Sequence, residues 1–380
     1  MSFVPGERGF LPSPDPILAL PPQFSAWDEI GRDLPKLLAA GRARVVLERL
    51  PTLDAALLPD TAVPRAMLLL SFFGHAYVWE SWREAPAERL PAVLARPWFD
   101  VARRLGRPPV LSYASYALEN WRRLDPEGPI RVGNLALLQN FLGGLDEEWF
   151  VTIHIHIEQQ AAPALTALPA AQASVAAGDV AGLIAALTRV SEALERMHHT
   201  LRRMPENCDP YIYYNRVRPF IHGWHQDPVV YEGVLEYQGA PQGYYGETGA
   251  QSSIIPCLDA VLGVEHQPDE LRTYLTGMRA YMPPHHVAFL EQLESGPSAR
   301  ELVTVSGDAG LRELYDTCVT ELAAFRSTHL EYAARYIQNQ SQVGANSNQY
   351  GTGGTPFMRY LKKHRDETTR HVLPLSQPSR

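Results

Sequence analysis

Leu311-Arg312-Glu313-Leu314-Tyr315-Asp316-Thr317-Cys318-Val319-Thr320-Glu321-Leu322-Ala323-Ala324-Phe325-Arg326-Ser327-Thr328-His329-Leu330-Glu331-Tyr332-Ala333-Ala334-Arg335-Tyr336 is the stretch that decides the fold class. Leu311, Leu314, Cys318, Leu322, Phe325, His329, Tyr332 and Tyr336 recur at steps of three and four, the period of a long helix with one apolar stripe. An ionisable group in such a stripe needs a partner. Two readings stay open on this stretch alone. His329 is a core residue satisfied by hydrogen bonds, or it offers one ring nitrogen to a metal while a neighbour fixes the other. Arg326, one turn earlier, sets a cation on nearly the same face.

Working outward, helical periodicity dominates the second half of the chain. Leu183, Leu187, Val190, Leu194, Met197 and Leu201 form another seam, and Leu271 to Tyr281 ends at Pro283-Pro284. Val287 to Leu293 reads as a short helix, residues 338–356 as a polar, glycine-rich segment, and Met358 to Arg370 as a last helix. Before them, residues 1–25 are proline-rich and aperiodic, the pattern of an extended arm over the surface. Helical stretches at 34–50 and 62–82 are broken by proline and glycine, and Asp125-Pro126-Glu127-Gly128-Pro129 marks a turn. A boundary near Gly143-Gly144 divides the chain into a smaller N-terminal domain, 1–142, and a large helical domain, 143–380. The class is mainly α.

Composition narrows the partners. A net charge of −8 leaves no basic excess to neutralise phosphates, which argues against nucleic acid. The apolar run from Ala66 to Trp79 contains His75 and is too short to cross a bilayer, so no membrane partner is expected. Three scattered cysteines, Cys208, Cys257 and Cys318, fit a reducing compartment, and the first residues lack a hydrophobic signal core. A cytoplasmic protein is expected.

Four segments carry candidate chemistry. In Val151-Thr152-Ile153-His154-Ile155-His156-Ile157-Glu158 the alternation reads as a strand, which would set His154, His156 and Glu158 on one face as a non-haem iron triad. On a helix, His154 and Glu158 share a face and His156 points elsewhere. The run from Asp209 to Trp224 gathers tyrosines and arginines, where Tyr213, Tyr214 and Arg218 could stack a ring and pair a carboxylate, or form an ordinary helix edge. Gly246 to Ser253 is a small-residue loop that admits a flat ligand or simply turns and caps a helix. Gly351-Thr352-Gly353-Gly354-Thr355 could close over a site or serve as a linker.

Taken in order over roughly residues 105–365, these stretches resemble the indoleamine 2,3-dioxygenase family of haem enzymes. The matching pieces are Leu111-Ser112-Tyr113-Ala114, Glu119-Asn120-Trp121, Tyr213 to Trp224, Gly249 to Ser253, Met278 to His285, Ser306 to Glu313, Arg326 to Leu330 and Gly351 to Thr355. The resemblance implies an all-helical domain holding haem b, with His329 on the iron, Arg326 on a propionate and Asp259 as its acidic neighbour. It implies a substrate carboxylate on Arg218, Thr352 in a closing loop, and Thr248, Gly249 and Ala250 near the propionates and substrate amine. Glu158 aligns with the family's glutamate in its helix, which sets Phe150 in the pocket and His154 where mammalian members carry serine. A histidine there is the pattern of the related tryptophan 2,3-dioxygenases. Tyr213 replaces a pocket phenylalanine and Tyr116 a cysteine, which makes the implied pocket more polar; Tyr113 and Tyr214 are further implied pocket residues.

The activity that the resemblance implies is dioxygenation of L-tryptophan or a close indole relative to an N-formylkynurenine type of product, within tryptophan catabolism along the kynurenine pathway. O2 is the second substrate, an electron donor keeps the iron ferrous, and His154 is the candidate catalytic residue on the distal side. Three alternatives remain. One is a secondary-metabolism enzyme that hydroxylates or rearranges an aromatic amino acid on the same scaffold. The others are a haem-binding sensor or carrier without turnover, and the non-haem triad.

Overall fold

Long helices stack around two apolar cores in a computed structural model that describes residues 3–80, 85–268, 270–343 and 357–373. The mainly α class expected from periodicity is the class observed. Among the described residues the strands are four two-residue pieces: Arg89–Leu90 runs parallel to Val230–Tyr231, and Arg122–Arg123 pairs antiparallel with Leu135–Ala136 around the predicted Asp125 turn. No described helix is long and apolar enough to cross a membrane.

The helix Leu145–Ala177 starts where Gly143 and Gly144 take positive φ, near the expected boundary. Asp146, Glu147 and Glu148 lie in its first turn, where the helix dipole favours negative charge. Glu147 bends back to accept the backbone N–H groups of Phe141, Leu142 and Gly143 at 2.7, 3.1 and 2.8 Å. Gly178 closes the helix in the left-handed region. Asp179 then caps Val180–Arg202 by accepting the Gly182 N–H at 3.0 Å. Asp308 opens Ala309–Ala333 in the same way, through Leu311 N–H at 2.7 Å.

The isoleucine-histidine alternation at 151–158 is helix, not strand. Val151, Ile153, Ile155 and Ile157 are all buried because this helix is packed on more than one side, and that produces the period-two look. His156 turns away to the Gln160 amide at 3.0 Å while His154 and Glu158 share another face, so the iron triad is not assembled.

One core joins residues before 142 with Phe220, Trp224, Tyr231, Met278 and Tyr281; the other joins the long helices. His75 lies in the first and shows how such a core accepts an imidazole. Its Nδ1–H donates to Phe220 O at 2.7 Å and its Nε2 accepts the Leu111 N–H at 3.0 Å. Burial pushes its pKa down to about 3, which keeps the ring neutral and that pattern intact. The residue 1–25 arm departs from expectation. It is irregular but partly interior: Phe10 sits in the second core and Leu11, Leu20 and Phe24 in the first. Phe10 and Phe3 pack on His286 and His285 with ring centroids 4.3 and 4.6 Å apart.

Candidate functional site

The stripe that opens the sequence reading divides in two. Leu311, Cys318 and Leu322 are core, whereas Phe325, His329, Tyr332 and Tyr336 form one wall of a cavity of about 1340 Å³. His329 is therefore not packed into the core, and its exposed surface is cavity surface. Burial, with a smaller contribution from His154, pushes its pKa down to about 4, so at neutral pH the ring carries an available lone pair. A volume of this size exceeds what one drug-sized ligand fills and has room for a large flat cofactor beside a substrate.

Across the cavity stands the Leu145–Ala177 helix with Phe150, His154 and Glu158 on the wall. His154 Nδ1 lies 2.7 Å from Phe150 O, a backbone acceptor, so Nδ1 carries the proton and Nε2 is the acceptor. Burial lowers its pKa and keeps it neutral. Phe150 stacks obliquely between His154 and Tyr213, each ring centroid 4.6 Å away, and Tyr113 meets His154 edge-on at 6.1 Å. The Tyr113 hydroxyl donates to Glu158 at 2.9 Å and Ser252 Oγ donates to the same oxygen at 2.8 Å. Burial raises the Glu158 pKa to about 7 against those two hydrogen bonds.

Thr248, Gly249 and Ala250 line the same cavity on a strap held by Gln251, which accepts the Tyr113 N–H at 2.9 Å and donates to Gly246 O at 2.9 Å. Arg218, Tyr116 and Tyr214 lie behind the wall. Arg218 is 1% exposed with its guanidinium 5.3 Å over the Tyr214 ring, and Tyr116 sits 6.4 Å behind Phe150. Thr352 and the 351–355 segment fall outside the described residues.

The Arg326 and Asp259 pairing expected from resemblance is present, with an N–O distance of 2.6 Å, and Arg326 also donates to Thr368. Asp259 reaches His266 at 3.2 Å, and His266 reaches Glu367 at 2.8 Å. His364 stacks on His266 with centroids 4.2 Å apart and planes within 20°. The ligand atoms of His266, His364 and Glu367 lie within 4.8 Å of one another, while both His266 nitrogens already meet carboxylates, so hydrogen bonds and stacking hold the cluster as a latch. The latch ties helix Phe357–Thr369 to Ile254–Leu262 and Ala309–Ala333.

Three π-helical turns border the site: Ala114–Leu118, Tyr213–Val217 and Ala334–Gln338. Each widens the backbone where Tyr116, Tyr213 or Tyr336 is placed, a distortion common at functional sites. Sequence reasoning missed these turns and the buried acid Glu247, 4% exposed, on the cavity wall. Glu247 stood inside the quoted 246–253 loop; a carboxylate among small residues was the available signal.

The family model described as indoleamine 2,3-dioxygenase matches residues 3–371. Indoleamine 2,3-dioxygenase 1 of Rattus norvegicus is 35% identical over 376 residues, which span 95% of this chain and 92% of that protein. Indoleamine 2,3-dioxygenase of Saccharomyces cerevisiae is 32% identical over 421 residues, spanning 95% and 91%. A protein named myoglobin from Haliotis madaka is 30% identical over 356 residues, 92% of each chain.

Proposed function

Because the chain belongs to the indoleamine 2,3-dioxygenase family, we propose that it is a haem-dependent dioxygenase acting on L-tryptophan or a close indole derivative to give an N-formylkynurenine type of product. The observation that carries the proposal is one cavity with neutral His329 on one wall and His154, Phe150, Tyr113 and Tyr213 on the other. The residues fit haem b: an imidazole lone pair for the iron, a cationic Arg326 braced by Asp259 for a propionate, and an apolar volume large enough for the ring. When bound, haem supplies the activation of O2 for insertion into the indole C2–C3 bond. A separate electron donor keeps its iron ferrous.

The protein's part is position. Phe150 and Tyr213 offer ring faces to the indole, and Tyr113 is fixed behind them by Glu158. His154, with Nδ1–H committed to the backbone, holds Nε2 ready to accept the indole N–H. His154→Leu is expected to keep the haem spectrum and lower kcat/KM for L-tryptophan about tenfold, the worth of one hydrogen bond of about 1.4 kcal/mol. With 1-methyl-tryptophan, which has no indole N–H, the variant and the unsubstituted protein should match. An equal loss on both compounds would refute the N–H contact.

Arg218, buried behind the wall beside Tyr214, is the residue the resemblance assigns to the substrate carboxylate; pairing it through the guanidinium fork would require Arg218 to turn into the cavity. Arg218→Leu should leave haem binding intact and raise the KM for L-tryptophan about tenfold to a hundredfold. An unchanged KM would place the carboxylate elsewhere. Residues 1–142 act as the smaller unit over the distal side and 143–380 as the haem-holding unit. The three buried thiols, with no disulfide between them, support a reducing, cytoplasmic setting.

The relative named myoglobin favours a second reading, a haem protein without turnover. Product analysis under O2 separates the two. Formation of a product absorbing in the kynurenine band, with steady O2 consumption, supports the dioxygenase; neither signal with any indole amino acid would leave the carrier.

A further inference from the structure

We propose that Tyr113 and Glu158 form a redox pair: when haem bound in the cavity is oxidised by a peroxide, Tyr113 gives it one electron and passes its phenolic proton to Glu158. The inference rests on the haem reading above and adds a one-electron chemistry to it. Tyr113 stands on the cavity wall at 3% exposure, with its hydroxyl donating to Glu158 Oε1 at 2.9 Å. Its backbone N–H donates to Gln251 at 2.9 Å, so ring and chain are both anchored.

A phenol that loses an electron becomes a strong acid, and the electron leaves readily only when a positioned base takes the proton. The hydrogen bond to Glu158 supplies that exit over a fixed path. Ser252 Oγ donates to the same carboxylate oxygen at 2.8 Å, while Oε2 has no hydrogen-bond partner among the described residues. A buried carboxylate so sparsely hydrogen-bonded holds a proton well, and burial raises its pKa to about 7. Two other tyrosines of the wall differ. Tyr336 donates to Cys208 O at 2.7 Å and Tyr332 to Arg202 O at 3.2 Å, backbone acceptors that take up no proton.

In the step itself the Tyr113 O–H bond breaks, its electron going to the haem and its proton to Glu158 Oε1. A phenol beside a carboxylate becomes a neutral phenoxyl radical beside a carboxylic acid. The oxidant is hydrogen peroxide, whose O–O bond breaks and which leaves as two waters after taking up two electrons and two protons. Both electrons pass through Tyr113, one at a time. Two molecules of an enediol reductant such as ascorbate supply these electrons and protons, and Glu158 returns its proton as each radical is reduced. Superoxide lost from an O2-binding haem dismutates to such peroxide.

The experiment mixes ferric haem-loaded protein with hydrogen peroxide, without ascorbate, and follows frozen samples by EPR. A tyrosyl signal should form, narrowed by ring-deuterated tyrosine, and a nitroso spin trap should add at Tyr113 as read by peptide mass. Tyr113→Phe should lose the signal. Glu158→Gln keeps a hydrogen-bond acceptor but takes no proton, and should slow radical formation about a hundredfold. A contact that is structural only would leave that rate unchanged.

No tyrosyl signal, a signal intact in Tyr113→Phe, or a rate unmoved in Glu158→Gln overturns the inference. Should either variant fail to fold, the trap adduct in the unsubstituted protein decides: on Tyr113 it supports the pair, on another tyrosine it overturns it. Absence of a Soret band would sink the haem reading itself, whereas a normal band without the radical sinks only the pair.

Discussion

His329→Ala should abolish the Soret band of tightly held haem and reduce turnover to background. His329 projects from Ala309–Ala333 where the helix has left the core, and no other residue of the stripe offers a nitrogen to the cavity. Burial keeps its ring neutral, so iron does not compete with a proton at physiological pH. The alanine variant has space for imidazole, and added imidazole should restore part of the band without restoring the covalent tether. His156→Ala, whose side chain is turned to Gln160, should keep the spectrum. A normal Soret band in His329→Ala, or its loss in His156→Ala, would remove His329 from the iron.

Arg326→Leu should destabilise the protein by about 1–3 kcal/mol, because buried Asp259 loses its guanidinium partner and keeps only His266. Asp259 meets Arg326 at 2.6 Å, and both are largely enclosed. Losing the guanidinium also leaves Thr368 without a donor and loosens the Asp259, His266 and Glu367 chain that holds helix Phe357–Thr369. Removing both charges in Arg326→Leu with Asp259→Leu should cost less than the two single changes added together, because neither charge is then stranded. Denaturant midpoints of the haem-free protein measure this without interference from the cofactor. A single Arg326→Leu change worth under about 0.5 kcal/mol would mean the pair is solvated and the latch idle.

The long helix with Arg326 in it, and the acidic neighbour Asp259, were legible in the sequence, because periodicity reports helices well and a family resemblance carries its ion pair with it. The 151–158 segment misled because a helix buried on several sides loses the 3.6-residue signature that marks one buried face. Proline content made the first 25 residues look superficial, yet Phe10 and Leu11 find core positions without forming any regular element. On sequence alone Tyr213, Tyr214 and Arg218 stay open between pocket lining and helix edge; Tyr213 is on the cavity wall, while Tyr214 and Arg218 are buried off it, in and just after the π-helical turn Tyr213–Val217. Residue type alone does not encode such a turn. Nor does it separate Glu247, 4% exposed, from a solvated loop acid, since the backbone crossing of Gly246 and Gly223 next to it joins residues far apart in the chain.

The interior arm also bears on how the molecule is made. During synthesis Phe3 and Phe10 leave the ribosome long before His285, His286 and Phe289, the side chains they finally pack against. Until then two large aromatic rings have no home and must stay out of competing contacts. Contacts between residues so far apart along the chain slow folding and expose apolar surface meanwhile. The early half therefore should not reach its final form on the ribosome: maturation waits for residues near 290, and fragments cut before that point should need chaperone protection or aggregate.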